Sequence, residues 1–113
     1  MMSKSRITID PYDVGDPADW LHNAHAGEML WLEFMEPLDL NAERLAERLG
    51  VSEERIASVV DGRSKMDADL DLRLARYFRM SPGFFFSLQI DYELLEAKRA
   101  MKGELDRIIP RAA

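Results

Sequence analysis

An all-α fold of five helices, preceded by an irregular amino-terminal lead-in, is predicted by three features of the chain. Apolar residues recur at helical rather than alternating spacing from about Gly27 onward. Residues that cap helices well, Asn41, Ser52, Asp67 and Ser81, stand at the head of each later apolar pattern. Glycine or proline closes most of these patterns, and no alternation typical of strands occurs. A chain of 113 residues has the length of one domain.

The elements follow in order. Residues 1–26 read as an acidic, partly flexible lead-in: Asp10-Pro11 and Asp16-Pro17 favour turns around Gly15, and four aspartates repel one another. Trp20 and Leu21 are expected to anchor its end. The first helix starts near Gly27, turns Met29, Leu30, Phe34 and Leu38 inward, and ends at Pro37. Asn41 caps a second helix with Leu45, Ala46 and Leu49 inside, and Gly50 ends it in a left-handed conformation. Ser52 caps a third, with Glu53 and Glu54 well placed against its dipole and Ile56, Val59 and Val60 inside. Asp61-Gly62 stops it. Asp67 caps a fourth, with Leu70, Leu72, Leu74, Ala75 and Phe78 as apolar positions. Ser81-Pro82 opens a fifth, pairing a capping serine with proline at the first helical position, and this helix runs through Tyr92 and Leu95 toward Met101. The expected division is a lead-in over 1–26, a helical domain over 27–97 and a helical extension over 98–113.

Residues 42–61 meet the requirements of a helix-turn-helix. Two short helices crossing at a sharp angle need a small residue at their contact (Ala46) and flanking apolar residues (Leu45, Leu49). They also need a glycine at the turn (Gly50), one inward apolar side chain in it (Val51) and apolar positions five and eight residues later (Ile56, Val59). The second helix of such a unit presents its outward residues to base edges, normally through Arg, Lys, Asn or Gln. Here the outward set is Ser52, Glu53, Glu54, Ala57, Ser58 and Asp61, with Arg55, Arg63 and Lys65 as the nearby cations. The expected DNA-contacting residues are therefore Ser52, Glu53, Glu54, Arg55, Ser58, Arg63 and Lys65.

Charge complicates this assignment. The net charge is −6, whereas nucleic-acid binders normally carry a basic excess that neutralises phosphates. Residues 1–40 hold two basic and eight acidic side chains, and the rest of the chain is balanced. The surplus favours a basic partner, and the middle of the chain is neutral.

Several strings carry a family likeness: HAGEMLWLEFMEPLDL (25–40), LAERLGVSEERI (45–56), VDGRSKMDADLDLRLARYF (60–78) and SPGFFFSLQIDYEL (81–94). They resemble the HigA-type antitoxins, a branch of the lambda-repressor-like (Xre-type) helix-turn-helix regulators, over about residues 25–97. The resemblance implies a five-helix lambda-repressor-like fold, a homodimer, and a partner of the HigB type, a RelE-like mRNA-cleaving toxin. It also implies repression of the protein's own operon through operator DNA. Departures fall on the DNA side. The usual HPGE is His25-Ala26-Gly27-Glu28, the Ser-Gln opening of the second helix is Asn41-Ala42, and Glu53 and Ala57 replace two polar contact types. Two other readings stay open: an interaction module that kept the fold but lost DNA affinity, and a transcription factor without a toxin.

Other features point away from catalysis and cofactors. There is no cysteine, which excludes disulfides and thiolate metal sites. His22, His25 and Glu28 have a metal-like spacing, but a helix starting near Gly27 need not place both histidines on one face. No His-Glu-x-x-His string occurs, and Ser58 and Ser87 have no histidine partner in sequence. Neither an enzyme nor a cofactor is expected. The start lacks the apolar stretch of a signal peptide, and no run approaches the roughly 18 apolar residues that span a bilayer, so a soluble, cytoplasmic protein without membrane contact is expected.

Phe84, Phe85 and Phe86 spread over about 200° of a helix, so two can enter a core while one stays partly exposed. Trp20, Trp31, Phe86, Ile90 and Leu94 are the expected dimer or partner contacts, aromatics being enriched at interfaces. Because an RNA-cleaving toxin must hold a polyanion, its surface should be basic. Asp10, Asp13, Asp16 and Asp19, with Trp20 as an apolar anchor, are candidates to cover it.

Overall fold

The computed structural model describes residues 21–112, in which five helices occur and no strand. The acidic lead-in up to Trp20, with its expected toxin contacts, lies outside the described residues; Leu21, expected to help anchor its end, is described and is 68% exposed, so its side chain does not pack into a core. Helix α1 covers Ala26–Leu30 and continues as a π turn over Trp31–Met35. The remaining helices are α2 (Ala42–Leu49), α3 (Glu53–Val60), α4 (Ala68–Phe78) and α5 (Phe84–Met101), followed by a 3-10 turn at Glu104–Arg107. Two compact units are distinguished: Ala24–Tyr92, which holds the core, and a second that joins residues 21–23 to 93–112. The expected boundary at residue 97 falls inside α5, which runs unbroken to Met101.

Helix α1 begins one residue earlier than Gly27 because His25 caps it, its Nδ1 accepting the Glu28 N–H at 3.2 Å. Gly27 is where α1 lies against α3. A β-carbon added there would stand 1.7 Å from the Val59 carbonyl oxygen, so only glycine permits the approach. The π turn corrects the expected inner face. Pro37 has no N–H to continue the helical ladder, and the Glu36 N–H instead reaches back five residues to the Trp31 carbonyl at 2.8 Å. The extra residue in this turn rotates the face, so Met35 is buried and Leu38 is exposed.

The α2–α3 unit forms as its residue pattern predicts. Asn41 accepts the Arg44 N–H at 2.8 Å and Ser52 the Arg55 N–H at 3.2 Å. Gly50 is left-handed at φ +72°, and the Val51 and Gly50 N–H groups close on the Ala46 and Glu47 carbonyls. Leu45, Ala46, Leu49, Ile56 and Val59 are buried, with Val51 and Val60 half-buried against them. A contact not anticipated completes this helix end: Arg73 of α4 donates from Nη1 to the Leu49 carbonyl at 2.8 Å.

Asp67 caps α4 through the Leu70 N–H at 2.9 Å. Leu70, Leu74 and Ala75 are buried, but Leu72, expected among the apolar positions, faces solvent, and Met66 in the preceding loop fills the core instead. The start of α5 differs from expectation. Ser81-Pro82-Gly83 forms a turn and the helix begins at Phe84. Its first N–H groups are met from another helix by the buried Asp71 carboxylate, which accepts from Gly83 at 2.7 Å and Phe86 at 2.8 Å. Of the three phenylalanines, Phe85 is fully buried, Phe84 packs on the core and Phe86 is exposed. Phe34, Phe78 and Phe85 stack with ring centroids 5.0–6.2 Å apart.

In the second unit, Arg99 donates to the Leu21 carbonyl at 2.7 Å and Asn23 donates to Glu96 at 3.0 Å. Leu94, Ala97, Met101 and Leu105 line a shallow apolar depression of about 250 Å³.

Candidate nucleic-acid interface

The amino-terminal turn of α3 and the loop after it form the face expected to read DNA. Ser52, Glu53 and Glu54 are exposed there, as are Arg63 and Lys65 in the loop. Ser52 already uses its hydroxyl as the α3 cap. Ser58 does not belong to this face. Only 7% exposed, it donates from Oγ to the Arg55 carbonyl at 3.1 Å, while its own carbonyl receives the Arg63 and Ser64 N–H groups. Helical rotation accounts for the correction, because Ser58 lies next to Val59 and two residues after Ile56, on the edge that α1 and the loop cover.

The two arginines are held by carboxylates. Arg55 contacts Asp67 at 3.0 Å and Asp69 at 3.1 Å, tying α3 to the head of α4. Arg63 contacts Glu54 at 2.8 Å and Asp61 at 3.1 Å. The hydrogen bond that Arg63 donates to Glu54, and next the one it donates to Asp61, raises the Arg63 pKa above its ordinary value. Asp69 is held below the usual carboxylate range by its hydrogen bond to Arg73 and then by that to Arg55. Exposed pairs of this kind contribute little to stability, so a phosphate can replace either carboxylate at little cost. Asp67 and Asp69 stand twelve and fourteen residues beyond Arg55, so no local pattern in the sequence pairs them with it. Two further cations, Arg44 and Arg48, not among the expected contacts, are exposed on α2 with no ion pair among the described residues.

Among the expected interface residues, Phe86, Ile90 and Leu94 follow one another at four-residue spacing on α5. Phe86 and Ile90 are exposed one turn apart on α5, sharing a face. Leu94 is exposed in the second unit, and Trp31 is exposed on the π turn. His25, one of the spaced histidines, serves as a helix cap; no cluster of three metal-ligating side chains occurs among the described residues. No described helix is long and apolar enough to cross a membrane.

Two short helices joined through a left-handed glycine, with the second helix's first turns exposed, define a helix-turn-helix protein of the regulator class. No family model matches the chain. Virulence-associated protein I of Dichelobacter nodosus is 37% identical over 86 residues, 76% of this chain and 79% of that protein. The HTH-type transcriptional regulator YbaQ of Escherichia coli is 33% identical over 84 residues, covering 73% and 74%. Among solved structures, the Pseudomonas aeruginosa antitoxin HigA with the higBA promoter aligns at a TM-score of 0.73 and 32% identity, over 81% of this chain and all of that one. The chain belongs to the HigA-type antitoxin family of helix-turn-helix regulators. The last two of these relatives are named as a regulator and an antitoxin, not as enzymes.

Proposed function

We propose that the protein is the antitoxin of a HigBA-like type II module, repressing its own operon as a homodimer and neutralising a RelE-like mRNA-cleaving toxin. The observation that carries this reading is the intact helix-turn-helix in a chain alignable along the whole of a HigA captured with its promoter. On operator DNA the first turns of α3 enter the major groove. Ser52, Glu53 and Glu54 lie near base edges, where glutamate can accept from cytosine N4. Arg55 and Arg63 exchange their carboxylate neighbours for phosphates, and Lys65 adds a further phosphate contact. Phe86 and Ile90 supply the apolar centre of a symmetric dimer, which sets the two α3 helices on an inverted repeat. A gel-shift titration with the protein's own promoter, alongside light scattering, tests this: a dimer retarding that duplex in preference to a scrambled one is expected.

A second reading is favoured by the acidic face of α3 and the paired state of Arg55 and Arg63. In it the fold serves only to bind protein. Absence of any retardation at low salt, together with retained toxin binding, would select it.

A further inference from the structure

We infer that α1 and its π turn form the docking surface for a basic protein partner. Trp31, Leu32 and Leu38 are large apolar residues left 37%, 45% and 59% exposed on this one short segment. Isolated exposed apolar side chains are ordinary, but three between Trp31 and Leu38 concentrate exposed apolar surface on one short segment, as interaction sites do. The backbone here is also unusual. The segment contains the π turn Trp31–Met35, a form common at functional sites, and Asp39 adopts φ +57°, a left-handed conformation that aspartate tolerates better than most residues with a β-carbon. Trp31, Glu36, Asp39, Asn41 and Arg44 border an open groove of about 350 Å³ beside the patch.

Charge identifies the occupant. Residues 24–43 contain no lysine or arginine, Glu33, Glu36 and Asp39 are exposed with no ion pair among the described residues, and the groove lining adds a single cation, Arg44. A second copy of this chain fits poorly, because a two-fold contact would bring two Arg44 side chains against six carboxylates and leave most of this charge uncompensated. Nucleic acid does not fit either, since phosphates are repelled. A protein surface bearing Lys or Arg around an apolar knob meets both features: its cations face the glutamates while the knob covers Leu32 and Leu38. Taking this partner to be the toxin rests on the antitoxin function proposed for the chain. It separates the toxin face on α1 from the dimer face around Phe86 and Ile90.

The test titrates full-length protein against the RelE-like toxin of its own pair, purified in a catalytically inactive form. Binding rates are measured for the wild type, for Leu32→Ser with Leu38→Ser, and for Glu33→Lys with Glu36→Lys, after circular dichroism shows unchanged melting. The serine pair is expected to weaken binding at least about tenfold, mainly through faster dissociation. The lysine pair is expected to slow association about tenfold at low salt, with the effect fading as salt rises. Wild-type affinity and rates in both variants would overturn the α1 assignment while leaving the antitoxin reading intact. A wild-type protein that does not bind the toxin would overturn both.

Discussion

The Asp71 carboxylate accepts the Phe86 backbone N–H at 2.8 Å across fifteen residues of sequence, and its second oxygen accepts Gly83 at 2.7 Å. With 2% exposure, it places a negative charge at the positive end of α5 and meets two N–H groups that would otherwise be orphaned. This contact sets the angle at which α5 leaves α4, and therefore where Phe86 and Ile90 emerge.

Asp71→Ala leaves both N–H groups without their acceptor. Charge-assisted bonds of this kind are each worth about 1.5–3 kcal/mol, so a loss of about 3 kcal/mol and a fall in Tm of about 10 °C or more are expected. Thermal melts by circular dichroism check this. Ser81→Ala, the substitution a local capping pattern would single out, should cost far less. Equal losses would mean that Ser81 is the cap.

Glycines rank by what surrounds them. Gly27→Ala forces a β-carbon into the Val59 carbonyl and separates α1 from α3, so about 3 kcal/mol or more should be lost. Gly50→Ala meets only the Arg73 guanidinium at 3.6 Å and suffers chiefly from φ +72°, giving about 1 kcal/mol. Urea titrations that reverse this order would contradict the packing of α1 on α3.

Much of the fold was legible because its grammar is local. Asn41, Ser52 and Asp67 each cap the helix that follows them, and Gly50 ends the one before it, within a span of four residues. What escaped was set by long-range contacts or by a change of period. Met35 and Leu38 exchanged places because a π turn adds a residue that a 3.6-residue count does not include. Ser58 read as outward because polarity alone places serine at the surface, whereas its hydroxyl satisfies a carbonyl within α3. The exposure of Ser52, Glu53, Glu54, Arg63 and Lys65 follows from local position, whereas the electrostatics around Arg55 do not, since it finds its carboxylates on the next helix.

Acid should loosen the α3–α4 junction. Arg73, and next Arg55, hold the Asp69 carboxyl below its ordinary range in the folded chain. A depressed folded pKa gives a stabilisation that is fully present above the unfolded value, near about 4, and is lost as pH falls through the folded one. Tm measured from neutral pH downward should therefore drop less steeply below about pH 4 in Asp69→Asn than in the wild type. Identical acid limbs would show that the pair contributes nothing to folding.

Replacing the cations one at a time reads out the DNA face. Arg63→Ala and Lys65→Ala should each lower the slope of log affinity against log salt by about one unit, as one phosphate contact is lost. Glu53→Arg should strengthen binding to any duplex by exchanging repulsion for attraction. Fluorescence anisotropy across a salt series checks both, and unchanged slopes would place the phosphate contacts elsewhere, with Arg44 and Arg48 the next to examine.

Recognition of the protein's own promoter tests the central claim most directly. Anisotropy with a labelled promoter duplex at physiological salt should give saturable binding of one dimer per inverted repeat, at least about a thousandfold tighter than for a scrambled duplex. The double variant Arg63→Ala with Lys65→Ala should abolish it. Equal affinity for both duplexes, or no binding to either, would contradict the account of this helix-turn-helix as an operator-reading repressor.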